Sequence, residues 1–351
     1  MRELQEEMGF QRLVKLSSNE GAFGPLPAAE AAFAGATGQL NRYPDGGGLR
    51  LREALAARHG VRSKQVVLGN GADELIRLAA VVALDPGDRA VFPWPSFPSY
   101  VAAAACCSAE AVRVPLRDHR VDLDELLTLA RDGAKVVYIA NPNNPTGVLE
   151  DADELGGFIE DLPENVLCVL DEAYAEYADP EPEGIPMVRS GHPRLCVLRT
   201  FSKVYGLAAL RVGYAVASLE IADGLDRVRN IFNVNQPAQE AALASLHEPE
   251  AVAERVAHVR RARDAVFETL RSRGLAPVPS QANFVYADVP GGDADGVTER
   301  LLRQGVMVRG LGGFGAPGAI RVTVGTDEEN DLFAEALARG QSTRPNTFRT
   351  G

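Results

Sequence analysis

Five short segments carry side chains that could do chemistry, and each lies at or just after the end of an apolar run typical of a buried strand. They are GNGADE at 69–74, PWPSFPSY at 93–100, NPNNPTG at 141–147, DEAY at 171–174 and TFSK at 200–203. Ligands in open α/β sheets bind beyond the carboxyl ends of the strands. We therefore expect these five segments to meet at one site.

The five segments supply a phosphate-binding turn and several reactive groups. The glycines of 69–74 allow a tight turn into a helix, whose free N–H groups attract phosphate. Lys203 is an amine near two hydroxyls, and Asp171 is a carboxylate that needs a cationic partner at the end of a buried strand. With Asn144 and Tyr174, these groups match pyridoxal 5′-phosphate, which requires an amine for its Schiff base and a carboxylate for its pyridine nitrogen.

The elements that must position these groups alternate along the chain as apolar runs and helical patterns. This rhythm predicts an α/β fold with a mostly parallel sheet, because near-continuous Val, Ile and Leu runs have both strand faces buried. Strands are predicted at 65–70, 89–94, 135–141, 166–172, 195–201 and 212–217 in the first part, and at 283–289, 305–310 and 319–325 later. Helices are predicted at 72–84, 122–132, 248–274, 293–304 and 327–339.

The texture of the sequence changes after residue 245, where a long charged helical pattern precedes a mixture of strands and helices. We predict an N-terminal segment at 1–25 that packs on a small domain, and a large cofactor-binding domain at 26–245. The small C-terminal α+β domain is predicted at 246–340. The polar tail at 341–351 is predicted to be disordered.

Composition excludes several classes of protein. The chain has 351 residues, 46% of them hydrophobic and 24% charged, which is typical of a globular protein and not of a disordered or fibrous one. Its 48 acidic and 36 basic residues give a net charge of −12, which does not favour a nucleic acid or an anionic membrane as partner. Four cysteines lack metal-site spacing, and there is no apolar signal core, so we predict a cytoplasmic protein without a metal site.

The ordered motifs resemble those of the fold-type I pyridoxal-phosphate aminotransferases, and within them the histidinol-phosphate and aromatic aminotransferase group. The resemblance covers about residues 15–339. Asp171 and Lys203 are 32 residues apart, and Arg211 follows Lys203 by eight, as in these enzymes. The segments that carry the resemblance are SSNEGAFGPLP, LNRYPD, GNGADE, NPNNPTG, LDEAY, RTFSKVYGLAALRVGY, QANFV and AIRVTVGTDEEN. It implies a large domain with a seven-stranded type of sheet.

The resemblance also implies roles for individual residues. Lys203 would form the Schiff base and move a proton, Asp171 would pair with the pyridine nitrogen, and Asn144 and Tyr174 would hold the phenolic oxygen. The remaining groups that would bind the cofactor's phosphate or stack on its ring are Ala72, Asp73, Phe97, Thr200, Ser202 and Arg211. Tyr43 would reach the cofactor phosphate and the substrate in the other subunit, which implies a homodimer with shared sites.

The implied reaction is a ping-pong aminotransfer between a histidinol-phosphate-like amine and 2-oxoglutarate or glutamate. Arg321 would hold the anionic end of the substrate, and Arg309, twelve residues earlier, resembles the second arginine of a phosphate clamp. An aromatic amino acid aminotransferase, in which Arg321 would hold a carboxylate, stays open, as does a related enzyme of secondary metabolism. The group usually has a tyrosine-containing arm before a first helix, and none precedes the helix predicted near Arg2, which weakens the histidinol-phosphate assignment.

Two further classes compete with the aminotransferase interpretation. A pyridoxal-phosphate decarboxylase of the same fold is less favoured, although Lys203 and Asp171 would serve it equally well. A methyltransferase would account for the glycine-rich turn at 69–74 but would leave Lys203 without a role.

Overall fold

Strands and helices alternate along most of the chain. The computed structural model describes Phe10 and residues 12–340, so the helix predicted near Arg2 and the tail predicted at 341–351 lie outside the described residues. The strands, in chain order, are β1 (Val14–Lys15), β2 (Val66–Gly69), β3 (Arg89–Trp94), β4 (Glu110–Pro115), β5 (Val136–Ala140), β6 (Leu167–Asp171), β7 (Leu195–Thr200), β8 (Gly213–Ala217), β9 (Ala276–Pro277), β10 (Phe284–Asp288), β11 (Val306–Met307), β12 (Arg309–Gly310) and β13 (Ala319–Thr323).

The five helices predicted from the sequence are present, with bounds that differ by at most two residues at either end. Within the described ranges, no helix has the length and apolar content that crossing a bilayer would need. The helices, in chain order, are α1 (Pro27–Ala36), α2 (Leu49–His59), α3 (Ala72–Ala83), α4 (Ser99–Cys106), α5 (Leu123–Arg131), α6 (Ala152–Glu160), α7 (Gly184–Arg189), α8 (Leu219–Val228), α9 (Gln236–Ser245), α10 (Pro249–Ser272), α11 (Ala294–Arg303) and α12 (Asp327–Gly340).

Seven strands form the large sheet, in the order β2-β8-β7-β6-β5-β3-β4. Strand β8 is antiparallel to both of its neighbours, β2 and β7, and all the other pairings in this sheet are parallel. Every residue of β5, β6 and β7 is buried, because α3, α4 and α8 cover one face while α2, α5, α6 and α7 cover the other. The predicted α/β fold with a mostly parallel seven-stranded sheet is confirmed.

Strand β4 is absent from the predicted set, and its position explains why. It lies at the edge of the sheet, where β3 is its one partner among the described strands, and it carries the exposed side chains of Glu110 and Arg113. Charged residues and a terminal proline are tolerated at an edge, where one side of the strand has no partner. The apolar run that marks a central strand is therefore missing.

The later part of the chain builds a second, antiparallel sheet in the order β12-β13-β10-β9. The segment predicted as one strand at 305–310 is divided: β12 joins this sheet, whereas β11 pairs in parallel with β1 near the N-terminus. Helices α10, α11 and α12 pack their apolar sides around these strands. The N-terminal segment is thereby linked to β11, and its Leu16 backbone oxygen accepts a hydrogen bond from the Thr323 N–H of β13.

Candidate active site

A cavity of about 470 Å³ lies at the carboxyl ends of β5, β6 and β7, facing the second sheet and the segment 15–20. Most of the residues that the sequence analysis selected line it. These are Ala72, Asp73, Phe97, Asn144, Asp171, Tyr174, Thr200, Ser202, Lys203, Arg211, Arg309 and Arg321. The expectation that the strand-end segments meet at one place is confirmed.

Lys203 lies just beyond β7 and points its amine into the cavity. Its Nζ donates a hydrogen bond to the backbone oxygen of Asn19 at 3.0 Å and lies 5.3 Å from the centre of the Tyr174 ring. Burial, followed by the positive charge of Arg321, lowers the pKa of Lys203 to about 8. A neutral amine, which is the nucleophilic and basic form, is therefore accessible near neutral pH.

Asp171 is the last residue of β6, and its carboxylate is buried at the wall of the cavity. The Tyr100 hydroxyl donates to Oδ2 at 3.1 Å, and the Ala173 N–H donates to Oδ1 at 3.2 Å. Burial raises the pKa of Asp171 to about 6, despite these two donors. Burying a charged carboxylate costs free energy, and a cationic group of a ligand would offset this cost.

A cluster of anion-binding groups lies at the start of α3. Ala72 and Asp73 of its first turn line the cavity together with Thr200, Ser202 and Arg211. Gly71 has φ +75°, and a Cβ placed there would overlap the Arg211 guanidinium. The absent side chain therefore lets the arginine lie against the helix N-terminus, where an anion is favoured.

Asp73 and Phe97 complete this side of the cavity. Asp73 accepts a hydrogen bond from the Ser99 hydroxyl, and its other oxygen pairs with Arg77 at 3.1 Å. Phe97 is half-buried and packs edge-to-face against Tyr100, with their ring centres 6.0 Å apart. One face of an aromatic ring is thus available at the wall, as stacking on a planar ligand requires.

Asn144 and Tyr174 both line the cavity. The buried Asn144 accepts a hydrogen bond at Oδ1 from Arg321. The Tyr174 hydroxyl accepts one from Asn19 Nδ2 at 3.0 Å, and its ring packs edge-to-face on Phe284. Burial raises the pKa of Tyr174 to about 12, so the hydroxyl keeps its proton throughout the physiological range.

Two arginines from adjacent strands close the far end of the cavity. Arg309 of β12 lies directly across from Arg321 of β13, and both donate to the backbone oxygen of Ser17, at 3.1 and 3.0 Å. The Arg321 guanidinium lies 5.2 Å from the ring centre of Phe284 and 5.1 Å from that of Phe314. Its buried Nε has no hydrogen-bond partner within the described residues. Burial lowers the pKa of Arg321 to about 10, so it stays cationic.

Tyr43 is the one selected residue that the structure does not bring to the cavity of its own chain. Its side chain is 82% exposed and stacks on Phe232, with ring centres 4.6 Å apart. It borders a separate surface depression with Arg42 and Arg50.

Several residues that shape the site are not evident from the sequence. Asn19 contacts both Lys203 and Tyr174, yet it was quoted only as part of the SSNEG motif. Tyr100, which donates to Asp171, is present in the sequence only as the last residue of the segment at 93–100. The asparagine within a short polar motif was the available signal for Asn19, whereas nothing in the sequence pairs Tyr100 with a carboxylate.

The groups present fit pyridoxal 5′-phosphate by their chemistry. Among the described residues, the buried Asp171 carboxylate accepts from a tyrosine hydroxyl and a backbone N–H and from no cationic side chain, which suits a pyridinium nitrogen, and the amine of lowered pKa suits a carbonyl carbon. The space above Gly71, which a Cβ would fill, belongs instead to an arginine that can bind phosphate. Cofactor and substrate anions would thus have separate cationic groups, Arg211 for the first and the pair Arg309 and Arg321 for the second.

Comparisons with known proteins agree with this chemistry. The family model described as aminotransferase class I and II matches residues 11–337. The chain is 41% identical over 337 residues to a histidinol-phosphate aminotransferase of Moorella thermoacetica, covering 95% of this chain and 87% of that one. It is 44% identical over 333 residues to histidinol-phosphate aminotransferase 2 of Pseudomonas fluorescens, covering 93% and 88%. The crystal structure of the Sinorhizobium meliloti histidinol-phosphate aminotransferase with pyridoxal-5′-phosphate superimposes with a TM-score of 0.90 at 31% identity, covering 97% and 93%.

Proposed function

We propose that this protein transfers an amino group from a histidinol-phosphate-like amine to 2-oxoglutarate. The premise is that the chain belongs to the class I and II aminotransferases and is a pyridoxal-phosphate-dependent enzyme. The observation that carries the substrate assignment is the paired guanidinium groups of Arg309 and Arg321 at the end of the cavity. Relatives named for this activity, at 41% and 44% identity, support the same choice over an aromatic amino acid enzyme or a decarboxylase.

The residues around the cavity divide into those that would hold the cofactor and those that would hold the substrate. Pyridoxal phosphate, when bound, supplies an electron sink for the electron pair left on the substrate carbon. Asp171 would keep the pyridine nitrogen protonated, while Asn144 and Tyr174 would hold the phenolic oxygen. The groups assigned to its phosphate and ring are Ala72, Asp73, Phe97, Thr200, Ser202 and Arg211.

Lys203 is assigned the proton transfer. Its Nζ would take the proton from the α-carbon of the substrate, since its lowered pKa of about 8 leaves a useful fraction of neutral amine near pH 7. The backbone oxygen of Asn19 holds this amine at 3.0 Å, and the wall provided by Tyr174 limits its range of motion. The lysine therefore acts as base and then as acid from one position.

The charge at the far end of the cavity supports a dianionic substrate group. Lys15, Arg309 and Arg321 line the cavity, and Lys15 is paired with the carboxylate of Glu20 at 2.8 Å. A phosphate dianion can accept hydrogen bonds from two guanidinium groups at once. A carboxylate has fewer oxygens and less charge, so it would make less use of the second guanidinium group. The backbone oxygen of Ser17, which now accepts from both arginines, would have to give up these donors to the substrate.

The proposal includes a homodimer in the cytoplasm. An exposed apolar surface around Tyr43, with Phe232, Ile231 and Leu40, supports burial against a second subunit, where Tyr43 would reach the partner's cavity. The four free cysteines support a reducing compartment. We also keep the proposed division into domains at 26–245 and 246–340, with the cavity at their junction.

A spectroscopic titration tests the substrate assignment. L-histidinol phosphate is added to the pyridoxal-phosphate-loaded protein, and the visible absorbance of the cofactor is followed. Loss of the visible band at micromolar substrate is expected. A band that is unchanged by histidinol phosphate but bleached by glutamate would refute the assignment, and phenylalanine or tyrosine would be tested next.

The variant Arg309→Met tests the contact with the phosphate, and L-histidinol is the matched control substrate. Its KM for histidinol phosphate should rise about 10- to 100-fold, as expected for the loss of one charge-assisted contact. The KM for L-histidinol, which lacks the phosphate, should stay within about twofold of the unmodified enzyme. An equal effect on both substrates would mean that Arg309 does not bind the phosphate.

A further inference from the structure

Asn19 lies between the lysine and the tyrosine of the site and contacts both. We propose that Asn19 is a positioning residue that turns the hydroxyl proton of Tyr174 into the cavity, toward the phenolic oxygen of the bound cofactor. This inference rests on the proposed function, because it needs pyridoxal phosphate in the cavity. It assigns a task to a residue outside the set selected from the sequence.

The backbone of Asn19 is held in an uncommon conformation that suits its residue type. Its φ is +53°, in the left-handed region, which asparagine and aspartate tolerate better than other side chains that have a Cβ. The residue is 1% exposed, and its N–H donates to the Thr323 hydroxyl at 3.0 Å. The side chain is therefore aimed by a fixed backbone.

The Thr323 hydroxyl determines which way the Asn19 amide faces. Because Oγ1 of Thr323 already accepts from the Asn19 N–H, its own proton goes to Asn19 Oδ1, 3.1 Å away. The reverse amide orientation would leave this buried hydroxyl proton without an acceptor among the described residues, which is costly. The amide nitrogen consequently faces Tyr174.

The amide then determines the direction of the Tyr174 proton. Nδ2 of Asn19 donates to the Tyr174 hydroxyl at 3.0 Å, so the hydroxyl oxygen of Tyr174 is the acceptor in this bond. Its own proton must point elsewhere, and the open direction is the cavity. The charged groups that face this tyrosine are Lys203 over its ring, Arg321 and Asp171. None of them replaces Asn19 as a donor to the hydroxyl in the described part of the chain.

The backbone of the same residue also restrains the amine. The carbonyl oxygen of Asn19 accepts from Lys203 Nζ at 3.0 Å and from Asn283 Nδ2 at 3.3 Å. A side-chain substitution leaves this carbonyl in place, so the effect on the tyrosine can be separated from the effect on the lysine. This separation makes the proposal testable.

The test inverts the polarity of the hydrogen bond with little change in shape. Asn19→Asp keeps the size and the tolerance of a positive φ, but a carboxylate can only accept, so it takes the Tyr174 proton away from the cavity. In the loaded protein, the pH at which the visible absorbance of the cofactor changes should rise by about one unit. Tyr174→Phe should raise it similarly, and the double variant should show no further rise.

The double variant separates the proposal from a simple charge effect. If the added carboxylate acts only through its charge, Asn19→Asp will shift the transition by the same amount in the Tyr174→Phe background, and the proposal is wrong. An Asn19→Asp transition within about 0.2 unit of the unmodified protein would also overturn it. A protein that binds no pyridoxal phosphate at all would refute the proposed function itself.

Variants at Thr323 keep the test available if Asn19→Asp does not fold. Thr323→Val preserves the shape but removes the proton that orients the amide, so the transition should move in the same direction by a smaller amount. Thr323→Ser retains the hydroxyl and should restore the unmodified transition. An unshifted transition in Thr323→Val, or an equal shift in both variants, would contradict the proposed role of Thr323 in orienting the Asn19 amide.

Discussion

Arg199→Met is expected to destabilise the protein strongly, because it breaks a buried ion pair behind the active site. Arg199 of β7 donates through Nε and a terminal nitrogen to one carboxylate oxygen of Glu172, at 2.8 and 2.7 Å. The two side chains are 3% and 0% exposed. Arg199 directly precedes Thr200, and Glu172 directly follows Asp171. The ion pair therefore joins the two strand ends that carry these site residues.

The magnitude follows from the burial of the remaining charge. Without Arg199, the Glu172 carboxylate keeps only the Gly184 N–H, 3.1 Å away, as a donor among the described residues. Removing one partner of a buried pair costs about 3–5 kcal/mol of unfolding free energy, far more than an exposed pair. Arg199→Met combined with Glu172→Leu removes both charges and should recover most of this loss.

Urea unfolding of the cofactor-free protein, followed by circular dichroism, measures the effect. The control is Arg227→Met, which removes the same side chain from an exposed pair with Asp223, 76% and 62% exposed, and should cost less than about 1 kcal/mol. The reasoning would be refuted if Arg199→Met cost no more than this control, or if the double variant were less stable than the single one.

The pH dependence of the same variant has a definite sign. Burial raises the pKa of Glu172 in the folded protein, and loss of Arg199 removes the charge that opposes this rise. The folded state then binds a proton more tightly than the unfolded state does. The stability deficit should therefore be largest at alkaline pH, where the carboxyl group is charged, and should shrink as the pH falls and the group takes up a proton.

Two further predictions concern the cofactor end of the cavity. Gly71→Ala should weaken pyridoxal-phosphate binding by about tenfold or more, measured by fluorescence titration, because its Cβ would displace the Arg211 guanidinium. Gly87→Ala is the control, because it imposes similar backbone strain at φ +88°, but its Cβ would lie within 4 Å of no described atom beyond the neighbouring residues. An equal loss of cofactor affinity in Gly87→Ala would show that the clash with Arg211 is not the cause. Tyr100→Phe removes a donor to Asp171, whose pKa burial already raises to about 6, and should raise that pKa further. The acid limb of cofactor affinity should move up by about one pH unit, and an unmoved limb would contradict this assignment.

The central strands could be predicted from the sequence because their environment constrains every residue. Residues in β5, β6 and β7 face packed helices on both sides, so the apolar run is continuous and its ends are visible. Strand β4 has no such constraint at the sheet edge and could not be distinguished from a loop. The two-residue strands β1 and β11 depend on each other, and neither has a pattern of its own.

The same distinction separates the site residues that the sequence predicts from those that it does not. Asp171 ends β6 and Lys203 lies just after β7, so topology alone brings them to one edge of the sheet. The Asn19–Thr323 contact joins residues 304 positions apart, and depends on a left-handed backbone and on which hydroxyl donates to which oxygen. A sequence motif fixes the residue type at such a position but not the direction of its hydrogen bonds. If that direction controls the Tyr174 proton, as we propose, the reactivity of the site depends on contacts that only the folded structure defines.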